Sequence, residues 1–239
     1  MMGGTIAVQT EQGKGTEFIV RLPFRTQPEH HRIAKIAELE GGESVTASIV
    51  LTRLLRLQQI TGGFVTDDDG TTTKVSSAKL DAVADVVQSL CVDEGKKLVI
   101  FTRFRAEMDG VSEAVQKVLG GKLQMVRIAG DIDIAKRGSI VEQFQTDPDT
   151  RVFVGQIDAC AEGITLTAAD TVVYYSLTFN MAKYAQSQDR IHRVGQRNVC
   201  TYIHLIVPHT IDEKIISALE KKVDLAKAIT DNWRWMLEE

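Results

Sequence analysis

Three cysteines are all that the 239 residues contain. Cys91, Cys160 and Cys200 are odd in number and far apart, which excludes a disulfide framework and fits reduced thiols. Nowhere do about 18 apolar residues run together, so no transmembrane helix is expected. The N-terminus has no basic stretch followed by an apolar one, so no signal peptide is expected either. Positive charge is not in excess: 28 Lys and Arg against 32 Asp and Glu leave a net −4. That balance gives no support to nucleic-acid binding. Cys200 and His204 alternate on one strand-like segment, but no further ligands accompany them. Core packing is the reading for both, and no metal site is expected.

What is present is an ordinary globular composition, 44% hydrophobic and 25% charged, enough for one substantial core or one core plus an appendage. Gly3–Thr10 and Thr16–Leu22 alternate as two short strands around the turn Glu11–Gly15. Helical apolar spacing covers Pro28–Leu39 and Ser44–Ile60, the second stopped by Gly62-Gly63. Val65–Lys74 is polar and reads as a mobile loop. Ser76 or Ser77 then caps a helix through Leu90. From Lys97 the pattern becomes β-α-β-α-β, as in a parallel sheet covered on both faces. Strands are predicted at Lys97–Phe101, Leu123–Ile128, Arg151–Gly155, Thr171–Tyr175 and Cys200–Val207. Helices are predicted at Ala106–Leu119, Ile134–Phe144, Met181–His192 and Ile211–Ile229.

The segment Gln186–Gln196, Q-S-Q-D-R-I-H-R-V-G-Q, puts Arg190 and Arg193 three residues apart on one expected helical face. An arginine fork matches phosphate oxygens and keeps its charge, so this spacing suits a reader of a γ-phosphate. The string resembles the last motif of the superfamily 2 helicases in the form found in Swi/Snf-type DNA translocases. Lys97–Arg103 (K-L-V-I-F-T-R), Gly163–Asp170 (G-I-T-L-T-A-A-D) and the Thr46–Phe64 helix resemble further motifs of that family, in the same order. Ala161–Glu162 stand where a Gly pair is common, and Thr165 where Asn is common.

The resemblance implies a RecA-like parallel sheet with helices on both faces, preceded by a helical segment and an N-terminal β-hairpin. Its divisions are a hairpin at 1–24, a helical lead-in from the first lobe at 25–92 and the helicase C-terminal lobe at 93–239. It further implies Arg190 and Arg193 as catalytic arginine fingers, with Gly163, Asp170 and Gln186 at the nucleotide. Thr102, Arg103, Arg105, Lys136 and Arg137 fall to the DNA backbone. ATP with Mg²⁺ and double-stranded DNA are the implied ligands, in a cytoplasmic or nucleoid-associated setting.

A complete motor of this kind also carries G-x-x-x-x-G-K-[ST] and D-E-x-H. Neither occurs in these 239 residues. The chain therefore reads as half of a motor, partnered by the missing first lobe and without ATPase activity alone. A second reading is a non-catalytic module that binds DNA or protein. A third comes from residues 1–24, which separately resemble the terminal hairpin of a histidine-kinase ATP-binding domain. That hairpin reads as a fusion remnant, an expression-derived element or a gene-rearrangement scar, and an added sheet edge outweighs an ATP role for Lys14 or Thr16.

Overall fold

A computed structural model describes residues 5–11, 15–22, 47–67, 69–160 and 163–221. The expected helix Pro28–Leu39, Ala161–Glu162, the end of the last helix beyond 221, and Trp233 and Trp235 lie outside the described residues.

Among the described residues seven strands form one sheet: β1 (Thr5–Glu11), β2 (Gly15–Arg21), β5 (Leu98–Thr102), β6 (Gln124–Ile128), β7 (Thr150–Gln156), β8 (Thr171–Tyr174) and β9 (Thr201–Ile206). Their order across it is β1-β2-β9-β8-β5-β7-β6. Every pairing is parallel except that of β1 with β2. The central run Leu98-Val-Ile-Phe is fully buried because side chains alternate between two covered faces. Leu98 and Ile100 pack with Val83, Met108 and Val111, on helices α2 (Ala78–Val87) and α3 (Arg105–Leu119). Val99 and Phe101 pack the other way, with Leu54 of α1 (Ala47–Thr61), Phe144 of α4 (Ile134–Thr146), Tyr184 of α6 (Met181–Gln188) and Ile215 of α7 (Ile211–Glu220). A four-residue helix, α5 (Ile157–Cys160), follows β7. This is the RecA-like α/β architecture that the resemblance implies. Among the described residues no helix is long and apolar enough to cross a membrane.

Three local expectations change. Val65–Lys74 is not a loop throughout: β3 (Phe64–Thr66) and β4 (Thr72–Lys74) pair in a small antiparallel hairpin. Asp67 closes its turn by accepting from the Thr71 N–H at 2.7 Å, and Gly70 takes the positive φ of +82°. The helix after Ser77 ends at Val87 and widens into a π-type turn, Gln88–Asp93, that buries Cys91. Of the two expected caps it is Ser76 that accepts from the Ala78 N–H, at 3.3 Å, while Ser77 makes no side-chain cap and donates to Asp81 at 2.9 Å.

The antiparallel pair β1 and β2 joins the sheet. β2 lies parallel to β9 over six residue pairs and places Ile19 in the core. Glu17 comes with it, 3.2 Å from Nδ1 of the buried His204 and 3.1 Å from the Tyr184 hydroxyl, which donates to it. Burial pushes the His204 imidazole down to about 3, so it is neutral. Burial also raises the Glu17 carboxyl, with nearby Glu220 adding and the Tyr184 hydrogen bond opposing. A carboxyl raised on folding contributes stability below its unfolded pKa, and that contribution is lost as pH rises through the folded value. Glu17→Gln should therefore raise Tm at pH 8 and lose that advantage near pH 4. Parallel melting curves with the same gain at both pH values would refute this.

Where β8 and β9 end, a buried ion pair joins the two helical layers. Lys79 of α2 reaches Asp212 of α7 at 2.7 Å, with side chains 2% and 4% exposed. Lys79 also donates to the Tyr175 carbonyl at 3.1 Å; Asp212 accepts from the Thr61 hydroxyl at 2.8 Å and the Val207 N–H at 3.1 Å. Removing one partner leaves an uncompensated buried charge, so Lys79→Ala should cost about 3–5 kcal/mol in urea unfolding. A loss under about 1 kcal/mol would mean that water already reaches the pair.

Candidate functional site

In a parallel sheet of this kind, ligand-facing residues gather where strands end and loops begin. At the carboxyl end of β5 the chain turns through Arg103 and Phe104 into α3. Glu107 makes that turn: its Oε2 accepts from the N–H groups of Arg103 and Phe104, each at 3.1 Å, and from the Ser176 hydroxyl. The carboxylate is fully buried, and burial raises its pKa against those hydrogen bonds. Its other oxygen abuts Gly62, where any Cβ would collide with it, so the end of α1 can dock only with glycine there.

Arg103 extends from this turn across α1 and the loop after β8. Its guanidinium donates to Gln58 Oε1 at 3.0 Å and lies 4.2 Å from the Phe179 ring centre. Gln58 in turn donates to the Leu177 carbonyl. Arg137 is held by the carbonyls of Ile132 (3.1 Å) and Ala159 (2.9 Å). Arg103 and Arg137 share the wall of a cavity of about 440 Å³ with Gln156, Asp158 and Lys183. Gln156 pins the floor by accepting from the Gly130 N–H at 2.9 Å. Both arginines are bonded by neutral acceptors, so their charge stays available to an anion.

The other DNA-side candidates differ. Thr102 is fully buried and presents no surface to a phosphate. Arg105 is already paired with Asp131 at 2.6 Å, in a second cavity of about 380 Å³ that Lys136 also lines. Lys183 and Asp158, joined at 2.8 Å, belong to the first cavity although neither stood out in the sequence. The first-turn position of Lys183 on α6, the motif helix itself, was the available signal.

The arginine motif departs from one helical face. α6 ends at Gln188, and both arginines lie beyond it in successive turns. Arg190 shows why: its Nε donates to the Gln186 carbonyl at 2.8 Å, the acceptor its own N–H would use in a continuing α-helix, and that N–H turns to Ser187 instead. The second Arg190 contact, from Nη1, goes to the Ile164 carbonyl at 3.1 Å, while Leu166 N–H donates to the Arg190 carbonyl. Arg193 is exposed and donates to the Thr165 hydroxyl at 2.9 Å. Both arginines thus address the loop that opens at Gly163, whose φ of +76° and open surroundings leave its backbone accessible. Gln186 joins them through its carbonyl. Asp170 does not join them: it precedes β8 and accepts from Asn198 at 2.9 Å, tying the start of that strand to the start of β9. Gln196 had no assigned role, yet its amide donates to the carbonyls of Thr167, Ala169 and Ile191, locking the two motif segments together. A further cavity, of about 690 Å³, lies elsewhere, between the β1–β2 pair and α6, and none of the candidate residues lines it.

These contacts separate the two arginines. Arg190→Ala removes two hydrogen bonds from a charged donor and should cost about 1–3 kcal/mol of stability. Arg193→Ala should stay within about 0.5 kcal/mol. Equal losses in denaturant titrations would contradict the division between a strut and an open side chain.

The sequence matches the helicase conserved C-terminal domain over residues 78–195. It is 33% identical over 148 residues to the DNA annealing helicase and endonuclease ZRANB3 of Mus musculus, covering 62% of this chain and 14% of that protein. The chain thus spans about a seventh of that relative's length. Among solved structures, the C-terminal domain of the Sulfolobus solfataricus SWI2/SNF2 ATPase superposes with a TM-score of 0.61 at 24% identity, over 86% of each chain. The same ATPase core in complex with double-stranded DNA gives 0.67 at 22% identity, over 92% of this chain and 47% of that one. At these identities the superpositions speak for the fold. With the ordered motifs and the sheet they frame, the matches make this chain a member of the helicase conserved C-terminal domain family, in its Swi/Snf-type, superfamily 2 branch.

Proposed function

We propose that the chain is the second lobe of a Swi/Snf-type, ATP-driven translocase on double-stranded DNA, and that Arg193 is its arginine finger. The observation that carries this reading is the state of Arg193: exposed, beside the open backbone of Gly163, and held by a neutral hydroxyl rather than a carboxylate. Its planar fork is suited to the charge that develops on a transferring phosphoryl group. Arg190, bonded to two carbonyls, holds the loop that Arg193 stands on. ATP with Mg²⁺ would supply the transferable phosphoryl group and its counter-charge between this lobe and the first. On the opposite flank, Arg103, Arg137 and Lys183 form a cationic wall for the DNA backbone, which binds by charge and releases counterions. The choice of ligand is supported by the Sulfolobus solfataricus SWI2/SNF2 ATPase core, a similar fold solved in complex with double-stranded DNA. α6 links the two flanks, with Lys183 in its first turn and the arginines past its last.

The test is DNA-stimulated phosphate release from the chain alone and after a first lobe has been supplied, in cis or in trans. The chain alone should show no turnover, because its sequence carries no G-x-x-x-x-G-K-[ST] loop to cradle the β- and γ-phosphates. In the two-lobe system Arg193→Ala should lower kcat by about 10³-fold, and Arg193→Lys should not restore it. Arg103→Ala should instead weaken DNA binding and flatten its salt dependence by about one counterion. Unchanged ATPase in Arg193→Ala with weakened DNA affinity would make the segment a DNA contact and favour the binding-module reading.

A further inference from the structure

β1 is the terminal strand of the sheet, and among the described residues no strand pairs with its outer edge. The direction of its backbone groups follows from its neighbours. Thr16 and Leu22 donate their N–H groups to the carbonyls of Cys200 and Ile206. Backbone groups alternate in direction along a strand, so the even-numbered residues of β2 face β9 and the odd-numbered ones face β1. Glu17 stands opposite Gln9, Ile19 opposite Ala7 and Arg21 opposite Thr5. The odd-numbered residues of β1 are therefore the ones bonded to β2. The N–H and C=O groups of Ile6, Val8 and Thr10 point out of the sheet.

The same edge is apolar. Ile6 and Val8 are 66% and 54% exposed. They stand opposite Val20 and Phe18, and Phe18 in turn stands opposite Ile203, so these five side chains form one strip on a single face of the sheet. Natural sheets protect such an edge with lysine, proline, a bulge or a covering element. β1, reading T-I-A-V-Q-T-E, has no basic residue and no proline, and its register with β2 is unbroken over seven pairs.

The geometry points to a second copy of this chain as the occupant, its β1 running antiparallel to the first about a two-fold axis at Val8. The strand is complementary to itself in that register. Val8 meets Val8, Ile6 meets Thr10, Ala7 meets Gln9 and Thr5 meets Glu11. The single charge, on Glu11, never faces its own equivalent, so no like-charge pair opposes the contact. The register centred on Val8 also pairs all seven residues, whereas centring on Ala7 leaves two unpaired. The outward-facing residues Ile6, Val8 and Thr10 map onto one another, which allows about six backbone hydrogen bonds across the axis. One continuous sheet would then run through both copies, doubling the apolar strip, as an isologous two-fold contact requires. This inference is independent of the proposed motor function, since none of its residues belongs to the candidate site.

Light scattering coupled to size-exclusion chromatography tests it on the full 26.4 kDa chain. The mass should double with rising concentration, and Val8→Lys should return it to that of a monomer with an unchanged circular dichroism spectrum. Thr10→Pro is the second variant: it deletes an outward N–H and spares the ladder to β2, so it should also give monomer. Register is read by cross-linking. A hydrogen-bonded antiparallel pair sets Cα atoms about 5.5 Å apart, within disulfide range, so Val8→Cys should form a covalent dimer under mild oxidation. The native thiols Cys91, Cys160 and Cys200 are all buried and leave that signal clean. Ile6→Cys should cross-link poorly with itself and well with a Thr10→Cys chain. A monomer at every concentration would overturn the inference. So would a dimer indifferent to both edge variants, or one in which Ile6→Cys couples to itself as fast as Val8→Cys does.

Discussion

Two charges buried where β8 and β9 end hold the working edge of this lobe in place. Lys79 and Asp212 come from helices on opposite faces of the sheet, so their contact at 2.7 Å clamps both layers around its carboxyl edge. Taking two ions out of water is costly, and attraction alone rarely repays it. Here the remaining hydrogen-bonding capacity is used: Lys79 reaches the Tyr175 carbonyl, and Asp212 receives Thr61 and Val207. Thr61 ends α1, and one turn earlier Gln58 receives Arg103. The orientation of Arg103 therefore rests on a buried ion pair through the single helix α1. Glu107 reinforces the edge from below, binding both Arg103 N–H and the Ser176 hydroxyl.

Most of the architecture was legible because the core strands are short apolar runs without polar alternation. Leu98–Thr102, Thr150–Gln156 and Thr171–Tyr174 fall within one or two residues of where the pattern puts them. The misses have a common cause: side chains that hydrogen-bond to backbone groups, as donors or as acceptors. Periodicity carries Met181 through to His192 as one helix, but Arg190 takes the Gln186 carbonyl and the helix stops at Gln188. Val65–Lys74 looks like loop because it is polar, yet Asp67 and three consecutive threonines build a hairpin from it. Neither effect has a periodicity to read.

The candidate site was legible in kind and less so in detail. Motif order identified Arg190, Arg193 and Gly163, which the fold brings to one loop. It could not distinguish a guanidinium spent on carbonyls, as in Arg190, from one held by a single hydroxyl, as in Arg193. Nor could it see that Asp170 is used by Asn198 at the start of two strands. Lys183 and Gln196 were passed over because their roles exist only across loops brought together by the sheet.

The net charge of −4 is a poor guide to the surface for the same reason. What an anion meets is decided by who else holds each cation. Arg105 faces Asp131, and Arg127 faces Asp109, each at 2.6 Å, so the strand-β6 flank is locally balanced. Arg103 and Arg137 are bonded by an amide and by carbonyls, which fix direction without cancelling charge. Lys183 stands between these cases, paired with Asp158 but 40% exposed, where such a pair is worth about 0–1 kcal/mol and a phosphate can compete for it. A chain with more acidic than basic residues can thus keep a positive cavity, provided its carboxylates are committed elsewhere. The carboxyl edge of this sheet meets that condition: Glu107 and Asp212 are buried facing inward, and among the described residues Asp158 is the one acid on the wall of the cavity that Arg103 and Arg137 share.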